Sequence, residues 1–496
     1  MTNLPPLDVF RADVELSRDP ARVMTRFFVP GQELESDRQS TTTGVIGRIL
    51  ALPEDTVESA LAQVFQRYDK RHSDLKEVLE AHYALVARRV PKRSQQSTKR
   101  KLLIGACFTQ ETSIEGAALF NPSVVPHPDQ SDLPLGAVRL VLSLRAVSEG
   151  HISTIEFRTG VVGPHRQLTI DEPERHLTGG VHRKTAHDRD VLRDQLDDSA
   201  ADDESSNSVL GQLPPQFDDE MLESALAILA AEHLTRAAAG RTADLIRRFV
   251  SSDYEVTFNP RTTYSQRVLA PYSPAESQGM EDARFVRFIE ADGSVRYCAT
   301  YTAFDGHQVG PQLIETADFL TFRITRPAGA AAKNKGMALF PRKVNGRFLA
   351  LSRWDRESNA IAASDNGRSW DDPTPLTSPD RSWGLVQLGN AGSPIETPRG
   401  WLVITHGVGP LREYSLGALL LDLDDPSKVI GSLRQPLLQP EPDEREGYVP
   451  NVVYSCGEMI VGDDLFLPYG VSDSSTRFAF VNLEELLDRL IADGVS

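Results

Sequence analysis

Apolar positions in the first hundred residues recur at helical spacing. From Thr56 to Val90 they fall at Val57, Leu61, Val64, Phe65, Tyr68, Leu75, Val78 and Leu79, which predicts a mainly helical region after an extended start. From Lys101 the pattern shortens to β-prone runs (LLIGACF, VRLVLSL, HISTIEF) broken by Asn, Pro and Gly. Between Asp188 and Asp219 the stretch QLDDSAADDESSNS and a PP pair combine few apolar residues with repeated acids, which predicts a flexible insertion. MLESALAILAAEHL and TADLIRRFV then return to helical register. After Asp253 the strand rhythm resumes to about Phe480, punctuated by ADGS, FDGH, VNG, DNG and GDD turn signals. The expected organisation is a helical region over 1–100, first strands over 101–187, a flexible and helical insertion over 188–252, and the remaining strands with the site over 253–496. Many short strands of this kind suit a sandwich, barrel or propeller.

The chain has 496 residues, 40 % of them hydrophobic, which allows a sizeable core. Its net charge of -17 argues against nucleic acid or an anionic membrane as a partner, because like charges repel. A local basic pocket for a small anion is still compatible with it. The first residues carry acid by position 8 and lack a basic-then-apolar leader pattern, and no apolar run approaches the ~20 residues of a membrane span. The three cysteines Cys107, Cys298 and Cys456 are far apart, which suits neither a disulfide framework nor a metal site. Buried thiols in a reducing cytoplasm are the expectation. The basic stretch Arg88–Lys101 reads as a solvated face or linker.

Four stretches gather polar groups among loop-forming Gly and Pro. GMEDARFV offers Glu281, Asp282 and Arg284; KNKGMALFPRK offers Lys333, Lys335 and Lys343; LSRWD offers Arg353, Trp354 and Asp355; WLVITHGVGPLREY delivers His406 to a Gly-rich turn. Taken singly, each reads better as a surface ion pair, a core tryptophan or a structural histidine. An indole beside charged groups suits sugar recognition, since its face covers ring C–H groups while polar groups hold hydroxyls. No phosphate-binding Gly loop, HExxH or GxSxG is present.

The order of FNPS, GMEDAR, KNKGMALFPRK, GNAGSPIETPRGWLVITHGV, LGALLLDLDDPSKVIG and EREGYVPNVVYSCG resembles glycoside hydrolase family 130, the β-mannoside phosphorylases and mannosidases. The resemblance covers roughly Lys101–Leu490 apart from the acidic insertion. PARVMTRFFVPG and SLRAVSEGHISTIEFRTG further resemble a long-form branch of that family. It implies an all-β five-bladed propeller with a helical N-terminal region and insertion, and an inverting reaction with one protein acid. That acid corresponds to Asp282; Ala283 replaces the family's usual proline. The resemblance also implies a phosphate site from Arg145, Lys335, Arg353 and His406, and sugar contacts from Asn121, Arg284, Asp473 and Trp354.

In such a scheme phosphate attacks opposite the acid and needs no base, whereas hydrolysis needs a second carboxylate roughly 6.5–9.5 Å away. Glu281, Glu396 and Glu446 are the candidates for that role. The leading expectation is a β-mannoside phosphorylase releasing α-mannose 1-phosphate, with β-mannosyl oligosaccharide and inorganic phosphate as substrates. An exo-acting β-mannosidase and a non-catalytic carbohydrate-binding propeller are the alternatives. No metal or organic cofactor is implied, and the N-terminal helices could serve a homo-oligomer.

Overall fold

The computed structural model describes residues 7–29, 38–91, 96–199, 201, 203–232 and 237–495. Parts of four stretches discussed above lie outside the described residues: 30 and 31 of PARVMTRFFVPG, 92–95 of the basic stretch, 200 and 202 of the acidic segment, and 233 and 234 of MLESALAILAAEHL. The chain forms two compact units, one of Asp19–Gly116 with Glu174–Thr178, the other of Met1–Arg18, Ala117–Pro173 and Gly179–Ser496.

The smaller unit holds helices Arg38–Leu50, Glu54–Tyr68, Leu75–Val86 and Thr98–Cys107, and the strand pair Val23–Phe27 and Thr109–Ser113. LLIGACF, expected as a strand, lies almost wholly in the last of these helices. Ser97 caps it by accepting the Arg100 N–H, and Gly105 lets it lie against the Leu79 backbone, where a Cβ would come within 2.0 Å of the carbonyl oxygen. That capped entry and close helix contact outweigh the β-prone composition of the run. Arg22 and Glu115, both buried, pair at 2.5 Å in the same unit.

In the larger unit, strands dominate. Ala118–Pro126, Val138–Val147 and Ser153–Val162 form an antiparallel series, joined through a parallel Ser153–Gly279 pairing to Gly279–Ile289, Val295–Phe304, Val309–Thr316 and Thr321–Thr325. A four-stranded sheet spans Ala338–Leu339 to Thr374–Thr377. A five-stranded sheet is built on Gly400–Val408 and Tyr414–Leu421, and another on Asp464–Val471 and Ser475–Asn482. Each set touches the next in chain order: Val295–Phe304 meets Ala338–Leu339, Asn359–Ser364 meets Gln387–Asn390, Tyr414–Leu421 meets Val453–Tyr454, and Asp464–Val471 returns to Ala118–Pro126. The turn signals act as their chemistry dictates. Asn345 (φ 51°) and Gly346 (φ 80°) both take the left-handed conformation that a tight hairpin requires.

Two expectations are corrected here. The first strand, Val9–Leu16, does not belong with the N-terminal helices; it pairs antiparallel with Ser475–Asn482. The acidic segment is not a flexible insertion. It contains helices Arg189–Asp197 and Asp203–Leu210, which with Asp219–Glu232 and Ala237–Val250 enclose a core of Leu192, Leu196, Val209, Leu213, Phe217, Leu226, Ile246 and Phe249. A sparse set of leucines supplies the buried stripe while the acids lie outside it, so the overall composition of the segment understated its capacity to fold. Cys298 and Cys456 are buried as expected, but Cys107 is exposed.

Candidate active site

A cavity of about 510 Å³ opens where the ends of these sheets converge, lined among others by Asn121, Arg145, Asp282, Lys335, Arg353, His406 and Asp473. Asp282 stands on a bulge: Glu281 pairs with Thr302 and Arg284 with Thr300, so the strand carries one residue more than its partner. Asn121 stands on a second bulge, where Phe120 pairs with Arg145 and Ser123 with Ser143. Both side chains thereby leave the regular alternation. Six lining residues hold left-handed backbone: Asn121 (50°), Asp282 (55°), Asn334 (63°), Arg356 (73°), Arg412 (59°) and Asp473 (51°). Such conformations cost of order 1–3 kcal/mol each and concentrate at functional sites. Asn and Asp bear them best.

The Asp282 carboxylate receives the Asn121 amide at 2.8 Å and the Arg145 guanidinium at 3.2 Å, both on Oδ1. Arg145 also bonds Glu281 (2.8 Å) and Ser153 (2.9 Å), and Lys335 bonds the other Glu281 oxygen at 2.6 Å. Burial pushes the Asp282 carboxyl up, but Arg145, Arg284, Lys335 and the Asn121 amide outweigh it and hold the group at about 2. Asp473 goes the other way: burial, then the neighbouring Asp282 charge, raise it to about 6 against the pull of Arg145 and Arg412.

Arg353 is buried, and among the described residues no carboxylate lies within ion-pair distance of it. Its Nη2 donates to the Arg356 carbonyl at 3.1 Å, and its Nε has no partner. The side chain runs between two glycines: a Cβ on Gly389 would lie 2.5 Å from Nε, and one on Gly336 would lie 2.8 Å from Cδ. A buried cation without a counter-ion, facing a cavity, is a site prepared for an anion.

The model of glycoside hydrolase family 130, described as beta-1,4-mannooligosaccharide phosphorylase, matches residues 250–491. A 1,2-beta-oligomannan phosphorylase from Thermoanaerobacter sp. (strain X514) is 35 % identical over 228 residues, which are 44 % of this chain and 73 % of that protein. This chain belongs to glycoside hydrolase family 130. A beta-1,2-mannobiose phosphorylase of Listeria innocua is 32 % identical over 45 % of this chain and 63 % of its own length. The solved structure of a Listeria innocua beta-1,2-mannobiose phosphorylase with beta-1,2-mannobiose aligns at 23 % identity and a TM-score of 0.45, covering 77 % of this chain and 93 % of the other.

Within this family-130 cavity the structure gathers seven of the nine residues singled out from sequence and leaves two aside. Arg284 lies beneath the floor, where it donates to the Ala391 carbonyl (2.7 Å), the Asp282 carbonyl (2.8 Å) and Tyr454 Oη (2.8 Å). The bulge turns Asp282 away from the face that Arg284 occupies, so Arg284 braces the Asp282 backbone from outside the cavity lining. Trp354 is 41 % exposed and does not line the cavity. It sits in the turn that follows Arg353, closed by the Arg356 N–H donating to the Arg353 carbonyl at 3.0 Å, and that turn carries the indole outward.

His406 also differs from a cationic ligand. Burial first, then Arg353 and Arg284, push its imidazole well below the usual range, so it is neutral. Its Nδ1 lies 3.2 Å from the Asn390 carbonyl, which only accepts, so Nδ1 carries the proton and Nε2 accepts from the Gln387 amide at 3.4 Å. Of the three lysines, Lys335 lines the cavity; Lys333 pairs with Asp198 at 3.8 Å and Lys343 covers the Phe348 ring. Glu396 is held by Arg342 at 2.6 Å, and neither it, Glu281 nor Glu446 lines the cavity. Sequence reading missed His307, Asn334, Arg356, Gln387, Arg412, Tyr414 and Tyr454. Arg412 and Tyr414 follow His406 in a stretch already quoted for it, so the hairpin turn was the available signal. Asn334 and Tyr454 likewise lie within the quoted KNKGMALFPRK and EREGYVPNVVYSCG, whereas His307, Arg356 and Gln387 had no motif to mark them.

Proposed function

We propose that this chain is an inverting β-mannoside phosphorylase that converts a β-mannosyl oligosaccharide and inorganic phosphate into α-mannose 1-phosphate and a shortened acceptor. The buried, carboxylate-free Arg353 guanidinium carries the reading, because a neutral sugar gives it no counter-charge and phosphate does. Lys335 and Arg356 add charge on neighbouring cavity-lining segments. A five-bladed propeller is the architecture proposed for the larger unit; the closed succession of sheet contacts supports it.

In this scheme mannose sits against Asn121, Asp282 and Asp473. A phosphate oxygen forms the new bond to C1 while the C1–O bond to the acceptor breaks and Asp282 gives its proton to the leaving oxygen. Free Asp282 is ionised. Phosphate bound among the same cations offsets the field that holds the carboxyl down, so its proton affinity rises when the co-substrate is in place. No base is required. Hydrolysis would need one, and besides Asp282 the cavity is lined by a single carboxylate among the described residues, Asp473.

The test is sugar release from β-1,2- and β-1,4-mannosides with and without inorganic phosphate, followed by NMR of the anomeric products. Phosphate-dependent α-mannose 1-phosphate is the expected result. Free mannose at an equal rate without phosphate would replace this reading with an exo-β-mannosidase using Asp473 as base, and sugar binding without turnover would make it a carbohydrate-binding protein.

A further inference from the structure

The helices between Arg189 and Val250 stand outside the sheets, yet their polar contacts fall on two cavity segments. Arg248 pairs with Asp305, whose Oδ1 accepts the N–H groups of His307 (2.8 Å) and Gln308 (2.7 Å). His307 and Val309 line the cavity beside Asp282. At the other end, Asp198 accepts the Gly329 N–H at 2.7 Å and pairs with Lys333, while Gln195 donates to the Arg326 carbonyl at 2.8 Å. Asp194 accepts a hydrogen bond from Ser369, and the Ala328 backbone bonds Trp370. These contacts fix the stretch 326–333, which leads directly into Asn334 and Lys335.

We propose that the helical insertion is a buttress of the active site, with Arg248 and Asp198 as positioning residues that set the His307 turn and the Lys335 segment. The two segments have few means of their own to hold a shape. Residues 326–337 contain no strand or helix, and the turn 305–308 depends on Asp305 for its internal bonds. The insertion meets one segment at its backbone, through Asp198 and Gln195, and the other through the Asp305 carboxylate that holds the turn's N–H groups, so it constrains the path of the chain where side chains must meet a ligand. Misplacing a binding group by about 1 Å can cost up to a hundredfold in rate. The inference rests on the phosphorylase reading only for the identity of the anion that Lys335 meets.

The experiment is calorimetric titration of inorganic phosphate and of β-1,2-mannobiose into the full-length protein, its Arg248→Ala and Asp198→Ala variants, and the conservative Arg248→Lys and Asp198→Asn. Circular dichroism first confirms that each is folded. Asp198→Ala should weaken phosphate about tenfold and leave mannobiose within about twofold; Arg248→Ala should do the reverse. Asp198→Asn keeps an acceptor for the Gly329 N–H and should recover phosphate affinity, and Arg248→Lys should recover part of the mannobiose affinity. Variants that lose thermal stability while keeping both affinities would overturn the proposal, as would equal loss of both ligands. If the unaltered protein takes up mannobiose but no phosphate, the phosphorylase reading fails. The buttress then stands or falls on mannobiose affinity in Arg248→Ala.

Discussion

Asn121 and Asp282 lie on two separate bulges, both with left-handed backbone, and the amide of one meets the carboxylate of the other at 2.8 Å. The equivalence extends one residue further: Pro122 follows Asn121 where Ala283 follows Asp282. Two bulges thus aim two side chains at one point, with the acid's Oδ1 taken and its Oδ2 free of hydrogen bonds from the described residues.

Asp282→Asn keeps the shape and the left-handed preference and removes the proton. Turnover should fall by roughly 10²–10⁴-fold with mannoside affinity within a few-fold, read from steady-state kinetics and calorimetry. Activity near that of the unaltered protein would remove Asp282 from the acid's role.

Asn121→Ala deletes a donor to the ionised Asp282 and leaves at φ 50° a residue that bears left-handed backbone less well than Asn. The Asp282 carboxyl should rise from about 2, and stability should drop by about 1–2 kcal/mol. Denaturant unfolding and carbon NMR of the carboxyl groups check the two effects separately.

Gly389→Ala would put a Cβ 2.5 Å from Arg353 Nε and 2.6 Å from His406 Cε1. Both neighbours are buried and have little room to retreat. The KM for phosphate should rise at least tenfold, well beyond any change in the KM for mannoside.

Asp473 should titrate near 6 and fall lower in Asp282→Asn, because the Asp282 charge is the second cause of its elevation after burial. Its folded value exceeds the ~3.9 of an unfolded aspartate. The folded state therefore binds the extra proton, and this contribution to stability is lost as pH rises from about 4 through 6. A titration unchanged by Asp282→Asn would show that the two carboxyls are electrically independent.

His187 bridges Asp219 (3.0 Å) and Asp253 (3.5 Å), anchoring the insertion to its neighbouring strand. Burial lowers its affinity for a proton, but the two carboxylates outweigh burial and raise it. The stabilisation is complete below the unfolded value of about 6.5 and is lost as pH climbs through the raised folded value. Thermal unfolding from pH 6 to 9 should show a decline that His187→Gln lacks.

Motif order let the sequence place Asp282, Arg145, Lys335, Arg353, His406, Asn121 and Asp473 in one cavity, although they come from distant strands. What it could not convey was orientation. Arg284 and Trp354 sit one or two positions from lining residues, and a bulge removes the first and a turn the second. The charge state of His406 was likewise hidden, since it depends on Arg353 and Arg284 lying close in space. The acidic insertion misled through its abundance of acids: a few leucines at the right spacing were enough to bury a core.

The pairing of Val9–Leu16 with Ser475–Asn482 joins segments more than 450 positions apart. During synthesis, one edge of that sheet must wait unpartnered until its distant strand has left the ribosome. Asp473 sits in the turn just before Ser475–Asn482, so the cavity gains its second carboxylate only in that closing step. The sheet and the cavity are therefore completed by the same hairpin, and a fragment ending before it lacks both Asp473 and the partner of Val9–Leu16.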